Sequence, residues 1–398
     1  MAVSDTMEGT PARTALNEPL RIALVHHADA RNVRTWSGTV FFMKRALERH
    51  VGKVIDLSPY PGPILPWKIL GKGLGILTGR RSSFAHDPAL ARRFSAYFSR
   101  ILRNDSYDLV FAPAASSVIA WIETDLPVVY YSDATWDLLV DYNESFTNLA
   151  KRYRDGGEEI ERRAIARADL SLFSSEWGAR SAVETYGALP ERVGVVPLGA
   201  NLLNPPARDA VLPRSLGSLL QLLFCGVSYR NKGGAIARRA LTRLLEMGID
   251  AEMTILGCAP PLSENHERMK VVPFLDKSIP AQRTAFEQIW RQADMFILPT
   301  RFEAAGLVFC EAGAHGIPSF APDTGGISSI VRNGRNGFLL PYEADGEAYA
   351  EAIARLVADP EAYARICRTS RDEYEERLNW DAWARAVAPL LRGVAAPR

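Results

Sequence analysis

The sequence has few features that would point to metal, redox or membrane-spanning chemistry. Its four cysteines lie mostly in apolar segments and show no spacing typical of metal ligands: Cys225, Cys258, Cys310 and Cys367. This usage favours buried free thiols in a reducing compartment. No unbroken run of 18 apolar residues occurs, so no membrane-spanning helix is predicted. Residues 1–19 are polar and lack an apolar core, and we expect a disordered tail rather than a signal peptide.

An excess of charge of one sign is also missing. Lysine and arginine number 47, aspartate and glutamate number 46, and the formal net charge is +1. No global field therefore favours nucleic acid as a partner. No Gly-x-Gly-x-x-Gly pattern follows the first apolar strand, so the dinucleotide-binding fingerprint is missing. A chain of 398 residues favours two domains.

Short apolar runs alternate with helical patterns along the whole chain. The apolar runs predict strands at residues 21–25, 54–57, 108–112, 127–131, 170–174, 193–197, 219–226, 253–257, 271–274, 294–300, 317–322 and 338–341. This alternation predicts an α/β protein with parallel, doubly wound sheets. Residues 201–217 contain three prolines and little periodicity, and we predict a linker between domains at 20–200 and 218–376. Residues 377–398 predict a final helix with an apolar face.

The most informative segment joins the strand at 294–300 to a helix predicted at about 306–315. Glu303 and Glu311 have seven residues between them and flank a turn of small residues. Gly316 is the expected residue beyond the helix end. A helix N-terminus carries free amides and partial positive charge, which suit phosphate, whereas a carboxylate accepts hydrogen bonds from hydroxyls. Phosphate beside many hydroxyls describes a nucleotide-sugar.

This segment, followed by the strand at 317–322 and the turn of Thr324, Gly325 and Gly326, resembles the donor site of the retaining GT-B glycosyltransferases of family 4. The resemblance implies the GT-B architecture, in which two Rossmann-like domains face each other across a cleft and the C-terminal helix crosses back to the first domain. The first domain would bind the acceptor and the second the donor. The implied reaction moves a sugar from a nucleotide-diphosphate-sugar to an acceptor hydroxyl with retention of anomeric configuration.

The resemblance also implies roles for the residues of this segment. Glu303 would hold a hydroxyl of the donor sugar, and Glu311 would accept hydrogen bonds from the nucleotide ribose. Backbone amides near the sugar and the phosphate would come from Ala304, Ala305, Gly306 and Leu307. No cofactor is implied, and no residues with metal-ligand spacing are present, so we expect no metal.

The loop after the predicted strand at 219–226 carries positive charge. Lys232 matches a lysine that, in the family, stabilises the leaving diphosphate. The family usually has an arginine directly after the glycine of this loop, where this sequence has Val227. Arg230 could reach the same space, or the site could rely on Lys232 alone. A solvated basic turn is the alternative for both residues.

Two positions in the first domain complete the implied site. Gly38, in the first strand-to-helix loop, would let backbone amides approach the diphosphate, although Ser37 or Thr39 could cap a helix there. Asp133 follows the strand at 127–131, at the edge where α/β sheets place ligands. It could contact a donor-sugar hydroxyl, a role that a nearby histidine has in many family members. It could equally cap the next helix, with Thr135 as the rival cap.

Residues 61–81 combine apolar side chains with four basic ones: Lys68, Lys72, Arg80 and Arg81. An amphipathic basic segment could lie on an anionic membrane and serve a lipid-linked acceptor. A buried helix pair with a basic rim is the favoured alternative. We expect a cytoplasmic enzyme, with peripheral contact at the inner face of the cell membrane left open. The acceptor could be a saccharide, another small molecule or a lipid-linked molecule.

Two other functions stay open at this point. A nucleotide-sugar epimerase of the same fold would need acid and base groups on both faces of the sugar. A non-catalytic pseudo-glycosyltransferase would only bind a partner, which the valine at position 227 would suit.

Overall fold

The computed structural model describes residues 19–396 and contains two parallel β-sheets with flanking helices. Apart from Pro19, the tail predicted at residues 1–19 lies outside the described residues. The strands of the first sheet are β1 Leu20–Leu24, β2 Gly52–Asp56, β3 Leu109–Pro113, β4 Val128–Ser132, β5 Leu170–Phe173 and β6 Val193–Val195. The helices around it are α1 Thr39–His50, α2 Leu65–Thr78, α3 Pro88–Leu102, α4 Ser116–Ile119, α5 Trp136–Leu139, α6 Lys151–Arg167 and α7 Glu176–Glu184.

The second sheet follows after residues 196–219, which contain no strand in this described part of the chain. Its strands are β7 Leu220–Cys225, β8 Ala251–Leu256, β9 Met269–Val272, β10 Met295–Ile297, β11 Ser319–Pro322 and β12 Gly337–Leu340. The later helices are α8 Gly234–Glu246, α9 Pro280–Gln292, α10 Leu307–Ala314, α11 Gly346–Val357, α12 Pro360–Glu376 and α13 Trp380–Ala395. Short 3-10 turns occur at Thr35–Gly38, Phe84–His86, Glu144–Phe146, Pro190–Arg192, Arg208–Ala210, Leu262–Glu264 and Ile327–Ser329.

The order of strands reverses direction once in each sheet. The first sheet runs β2-β1-β3-β4-β5-β6 and the second β12-β11-β10-β7-β8-β9, with parallel pairing throughout. Ligands of open α/β sheets bind outside the carboxyl ends of the strands at such reversals. The reversal lies between β1 and β3 in the first sheet and between β10 and β7 in the second. The loops that follow β1, β7 and β10 therefore begin at the expected ligand positions. The prediction of parallel α/β sheets is confirmed.

Burial on both faces of the sheets explains the apolar runs in the sequence. Every residue of β3 and β4 is buried, as is typical of parallel strands covered by helices. Helix α3 covers one face with Leu90, Phe94, Phe98 and Leu102, which recur at helical spacing. Full burial of each such side chain contributes roughly 1.5–3 kcal/mol. The Asp87 carboxylate caps this helix by accepting a hydrogen bond from a first-turn amide.

The last helix, α13, packs on the first sheet's side of the molecule. The Trp383 ring lies 5.7 Å from the ring of Tyr131 and 6.2 Å from that of Phe111. His50 Nε2 at the end of α1 lies 2.8 Å from the carboxylate of Asp381. The predicted return of the C-terminal helix to the first half of the chain is confirmed.

Helix α2 corrects one expectation. Residues 61–81 do not form a buried helix pair: one helix forms here, and Gly71 is its buried residue. Five large apolar side chains on it are exposed: Leu65, Ile69, Leu70, Ile76 and Leu77. Within residues 19–396, no helix is both long enough and apolar enough to cross a bilayer.

Candidate active site

Loops from the two halves of the chain line a cavity of about 870 Å³. It is lined by these predicted site residues: Gly38, Asp133, Lys232, Glu303, Ala304, Ala305, Gly306, Leu307 and Glu311. Arg230 is exposed and lies outside the lining, so the structure does not bring it to the site. Val227 lines the cavity, and 73% of its surface is exposed. Among the predicted cations of this loop, Lys232 therefore provides the charge that faces the cavity.

Glu303 is fixed in the turn between β10 and α10 by three contacts. Its Oε2 atom lies 2.6 Å from Nζ of Lys232, and its Oε1 atom accepts a hydrogen bond from the Gly306 amide at 3.0 Å. Its own amide donates to the hydroxyl of Tyr142 at 3.3 Å. The side chains of Glu303 and Lys232 are 15% and 21% exposed. Salt screens such a partly buried ion pair less than an exposed one.

Glycine at position 233 lets the Lys232 loop approach the strand that leads to Glu303. Gly233 has a φ of 75°, and a Cβ atom there would lie 1.9 Å from the carbonyl oxygen of Pro299. The main chain of the Lys232 loop could not come so close with a side chain at this position. Lys232 can reach Glu303 because of this contact between the two loops.

The second glycine turn closes against the main chain of the Glu303 turn. A Cβ atom at Gly325 would lie 2.1 Å from the carbonyl oxygen of Glu303, and one at Gly326 would lie 2.0 Å from that of Ala304. The Gly326 amide donates a hydrogen bond to the Glu303 carbonyl at 3.2 Å. The paired glycines therefore support the turn that positions the carboxylate.

Glu311 lies buried on α10 beside a lysine that the sequence analysis did not predict. Nζ of Lys277 lies 2.6 Å from Oε1 of Glu311 and also donates to the Asn201 carbonyl at 3.0 Å. Lys277 belongs to the loop between β9 and α9, where no motif or periodicity marks it. The pairing of Lys277 with Glu311 can be recognised only in the folded chain, where this loop lies against α10. Both carboxylates of the predicted motif are thus paired with a lysine.

The loop before α1 contains three successive left-handed residues. The φ values are 45° at Trp36, 57° at Ser37 and 86° at Gly38. Such a conformation costs about 1–3 kcal/mol at a non-glycine residue and concentrates at functional sites. The alternative of a side-chain cap is wrong, because Gly38 is the N-cap residue and no side chain caps α1. Successive backbone amides at a helix start form an anion-binding concavity.

Asp133 lies at the carboxyl end of β4 and faces the cavity. The indole N–H of Trp36 donates a hydrogen bond to its Oδ2 atom at 3.3 Å. Burial raises the pKa of this carboxyl to about 6, and the charge of Glu303 adds to the rise. Asp133 does not cap the next helix, because the N-cap of α5 is Thr135, whose hydroxyl lies 2.6 Å from that of Ser181.

Contacts join the two halves of the chain around the cavity. The hydroxyls of Tyr142 and Thr324 lie 3.0 Å apart, and the Tyr142 ring packs edge-on against Phe302 at 4.8 Å. Elsewhere on the rim, the Arg34 guanidinium lies 3.5 Å from the carboxylate of Asp276. The sequence analysis did not identify Tyr142, because it lies in an irregular segment with no recognisable pattern.

Metal ligation has no obvious place in the described part of the chain. Residues 19–396 hold no group of three or more histidine, cysteine, aspartate or glutamate side chains that could bind a metal ion. The four cysteines are free, and burial raises the pKa of the Cys258 thiol to about 11. The positive groups that the cavity offers to an anion are side chains and amides.

Similarity to known proteins defines the class of this site. Residues 59–202 match the family described as Glycosyltransferase Family 4, and residues 220–359 match the family described as Glycosyl transferases group 1. The D-inositol 3-phosphate glycosyltransferase of Corynebacterium urealyticum is 25% identical over 307 residues, which cover 73% of this chain and 72% of that protein. The alpha-maltose-1-phosphate synthase of Mycolicibacterium smegmatis is 29% identical over 261 residues, 60% of this chain and 66% of that protein.

A solved structure shows the same arrangement of sheets. Anabaena HepE in complex with UDP-glucose superimposes with a TM-score of 0.61 at 16% identity, over 94% of this chain and all of that chain. The two parallel sheets and the cavity between them define a GT-B fold. The chain belongs to the glycosyltransferases of group 1 and family 4. It is therefore a glycosyltransferase, and the predicted family is confirmed.

Proposed function

We propose that this glycosyltransferase moves a sugar from a nucleotide-diphosphate-sugar to an acceptor hydroxyl with retention of anomeric configuration. The observation that carries the proposal is the pairing of Lys232 with Glu303 at 2.6 Å, beside the start of α10 and inside the cavity. A cation, a carboxylate and free helix amides are the groups that a diphosphate and a sugar require. The complex of HepE with UDP-glucose supports this class of donor.

In the proposed reaction, the donor diphosphate replaces one partner in the Lys232–Glu303 pair. Negative charge develops on the diphosphate as the sugar bond breaks, and Lys232 with the first amides of α10 stabilises it. Glu303, released from the lysine, accepts a hydrogen bond from a sugar hydroxyl. No resident metal is needed in this scheme, because the protein supplies the positive charge.

The opposite wall of the cavity completes the donor site in this proposal. The left-handed turn ending at Gly38 presents backbone amides to the diphosphate, and Asp133 accepts a hydrogen bond from the donor sugar. The nucleotide ribose lies at Glu311, whose carboxylate the Lys277 ammonium orients. The acceptor hydroxyl attacks on the face from which the diphosphate leaves, and the leaving phosphate oxygen takes its proton.

A peripheral membrane contact through α2 is a further part of the proposal. The exposed leucines and isoleucines of this helix lie next to exposed Lys68 and Lys72. A helix of this kind partitions into the interface of an anionic bilayer. The contact would bring the first half of the chain close to lipid-linked acceptors at the inner face of the cell membrane.

A thermal-shift screen with nucleoside diphosphates tests the donor class. A ligand that binds only the folded state stabilises it in proportion to RT ln(1 + [L]/Kd), so a matching nucleotide at 100 times its Kd adds about 2.7 kcal/mol. Stabilisation by a nucleoside diphosphate, but not by the free base, is expected. The absence of any shift with every nucleotide would contradict the proposal. An epimerase would instead isomerise the donor sugar while leaving its bond to the nucleotide intact.

A further inference from the structure

The cavity continues beyond Asp133 into the first half of the chain. Its walls there come from the ends of β3 and β4 and from the helices that cover them. These residues line this part, which we call the acceptor side: His86, Ser116, Tyr130, Trp136, Phe146 and Glu161. No sequence motif marks it, and Asp133, which contacts the donor sugar in the proposed function, lies beside it.

A buried carboxyl lies in the wall of the acceptor side. Glu161, on α6, is 4% exposed, and the hydroxyl of Tyr130 donates a hydrogen bond to its Oε1 atom at 3.0 Å. Burial raises the pKa of this carboxyl to about 7, and the charges of Glu158 and Asp133 add to the rise. Burying a charged carboxyl is costly unless it is paired or hydrogen-bonded, and the Tyr130 hydroxyl supplies one hydrogen bond to Glu161. Two carboxyls, Glu161 and Asp133, therefore face the same part of the cavity.

Cations are scarce on this side. Among the first-half residues that line the cavity in the described chain, Arg34 is the one lysine or arginine. Its side chain is 79% exposed and its guanidinium points to Asp276 at the rim. His86 stacks on Trp136 at 3.9 Å, and burial lowers the pKa of its imidazole to about 3, so the ring is neutral.

The lysines of the opposite wall are already engaged. Nζ of Lys232 lies 2.6 Å from Glu303, and Nζ of Lys277 lies 2.6 Å from Glu311. In the proposed function the first meets the donor diphosphate and the second lies near the nucleotide. Arg283, near the start of α9, also lines this wall, and its guanidinium donates a hydrogen bond to the Lys277 carbonyl at 3.4 Å. On the acceptor side itself, the described lining holds no lysine or arginine that could bind a phosphate.

We propose that the part of the acceptor that enters this cavity is an uncharged, hydroxyl-rich group, such as a saccharide or polyol, and that phosphorylated acceptors are rejected. This inference rests on the proposed function. Carboxyls next to one another repel a phosphate but accept hydrogen bonds from hydroxyls. The half-buried ring of Phe146, packed against the buried Trp136 at 5.1 Å, offers an apolar surface to the C–H face of a sugar. The names of both relatives contain a phosphate, on inositol or on maltose, so this chain departs from them.

Matched acceptor pairs test the inference. The full-length protein, with a donor that it accepts, is offered neutral compounds beside their phosphates: myo-inositol with inositol 3-phosphate, glucose with glucose 1-phosphate, and a series of oligosaccharides with their phosphorylated forms. We expect kcat/KM to favour a neutral member over its phosphate by at least about tenfold, because an unpaired like charge is rejected. Preference for a phosphorylated member, or no transfer to any neutral member, would overturn the inference.

The variant Glu161→Gln keeps the shape of the side chain and its bond from Tyr130. Loss of a hydrogen bond to a charged group should raise the acceptor KM by about 10- to 100-fold. The preference for the neutral member should fall in the same variant, an effect that a purely structural role would not produce. Glu159→Gln is the matched control, because Glu159 lies on the same helix and pairs with Arg163 at the surface. An unchanged acceptor KM and preference in folded Glu161→Gln would contradict the assignment.

Nucleotide binding separates failure of this inference from failure of the proposed function. If the protein binds a nucleoside diphosphate and cleaves the donor but prefers phosphorylated acceptors, the acceptor inference alone is wrong. If it binds no nucleoside diphosphate, the proposed function itself is wrong.

Discussion

Nζ of Lys277 lies 2.6 Å from Oε1 of Glu311, on the cavity wall formed by the second half of the chain. The Glu311 side chain is 8% exposed and that of Lys277 is 34% exposed, so the carboxylate is buried behind its partner. A lysine in this position orients the carboxylate, which can then accept hydrogen bonds from ribose hydroxyls. The relationship predicts which of the two motif glutamates controls nucleotide affinity.

Glu311→Ala should weaken binding of the nucleoside diphosphate by about 1.5–3 kcal/mol, because charge-assisted hydrogen bonds are lost. Glu303→Ala should leave that affinity nearly unchanged and lower turnover, since Glu303 faces the sugar in our proposal. Calorimetry with the nucleotide alone measures both. Glu351→Ala, an exposed position on α11, serves as the control. The reverse pattern, with affinity lost in Glu303→Ala only, would show that the two roles are exchanged.

Lys232→Ala should reduce turnover by about 10² to 10³, the scale of one preorganised charge contact at a leaving group. Arg230→Ala in the same loop is the matched control and should leave turnover within about twofold, because Arg230 is exposed and outside the cavity. Steady-state kinetics with saturating donor compare the two. A large loss in Arg230→Ala would mean that this arginine reaches the diphosphate after all.

Glu161 predicts a pH-dependent difference in stability. Its folded pKa of about 7 exceeds the ordinary value of 4.5, so the carboxyl binds its proton more tightly in the folded protein. The charged form therefore destabilises the folded state above pH 7, by about 3 kcal/mol from the shift, and this penalty disappears as the pH falls from 7 towards 4.5. Relative to the parent, Glu161→Gln should be more stable at pH 8.5 than at pH 5.5.

Chemical denaturation of parent and variant at both pH values measures this difference, and the titration of the buried histidines cancels between them. Glu159→Gln should show no such pH dependence. A difference between parent and Glu161→Gln that does not change with pH would mean that the carboxyl is not held in a desolvated site.

Vesicle binding tests the membrane proposal for α2. The full-length protein should sediment with anionic vesicles at low salt and dissociate as salt rises, because ions screen the attraction of the basic side chains. Replacing exposed Ile76 and Leu77 by serine should weaken the binding without unfolding, since both side chains are largely in solvent, at 77% and 85% exposure. Neutral vesicles are the control. No binding to anionic vesicles at low salt would remove the membrane contact.

The strands and the motif on α10 could be predicted from the sequence because they rest on local patterns. Strand β10 is a short apolar run, and the turn before α10 contains small residues, with Gly306 at a φ of 76°. The acceptor side could not be predicted, because it depends on contacts distant in sequence. Gly156 and Gly157 lie inside α6, where propensity disfavours glycine. A Cβ atom at Gly157 would lie 2.2 Å from the Trp136 ring, which only the folded chain reveals.

Lys277 and Arg230 illustrate the same limit. The sequence places Arg230 in the loop of Lys232, two residues away, yet the structure exposes its side chain. Lys277 lies 34 residues before Glu311, with nothing in its neighbourhood to mark it, and reaches the carboxylate because β9, α9 and β10 bring the two segments together. Spacing along the chain predicts helical neighbours, whereas side-chain direction and long-range pairing require the fold.

The central claim, sugar transfer from a nucleotide-diphosphate-sugar, is tested most directly by following the reaction by NMR. The donor that binds in the thermal-shift screen is mixed with a neutral acceptor, and the anomeric proton and the released nucleotide are observed together. We predict one nucleoside diphosphate released for each glycoside formed, with the anomeric configuration of the donor, and loss of both signals in Lys232→Ala. A glycoside of inverted configuration would contradict retention. An isomerised sugar still attached to its nucleotide, with no diphosphate released, would contradict sugar transfer itself.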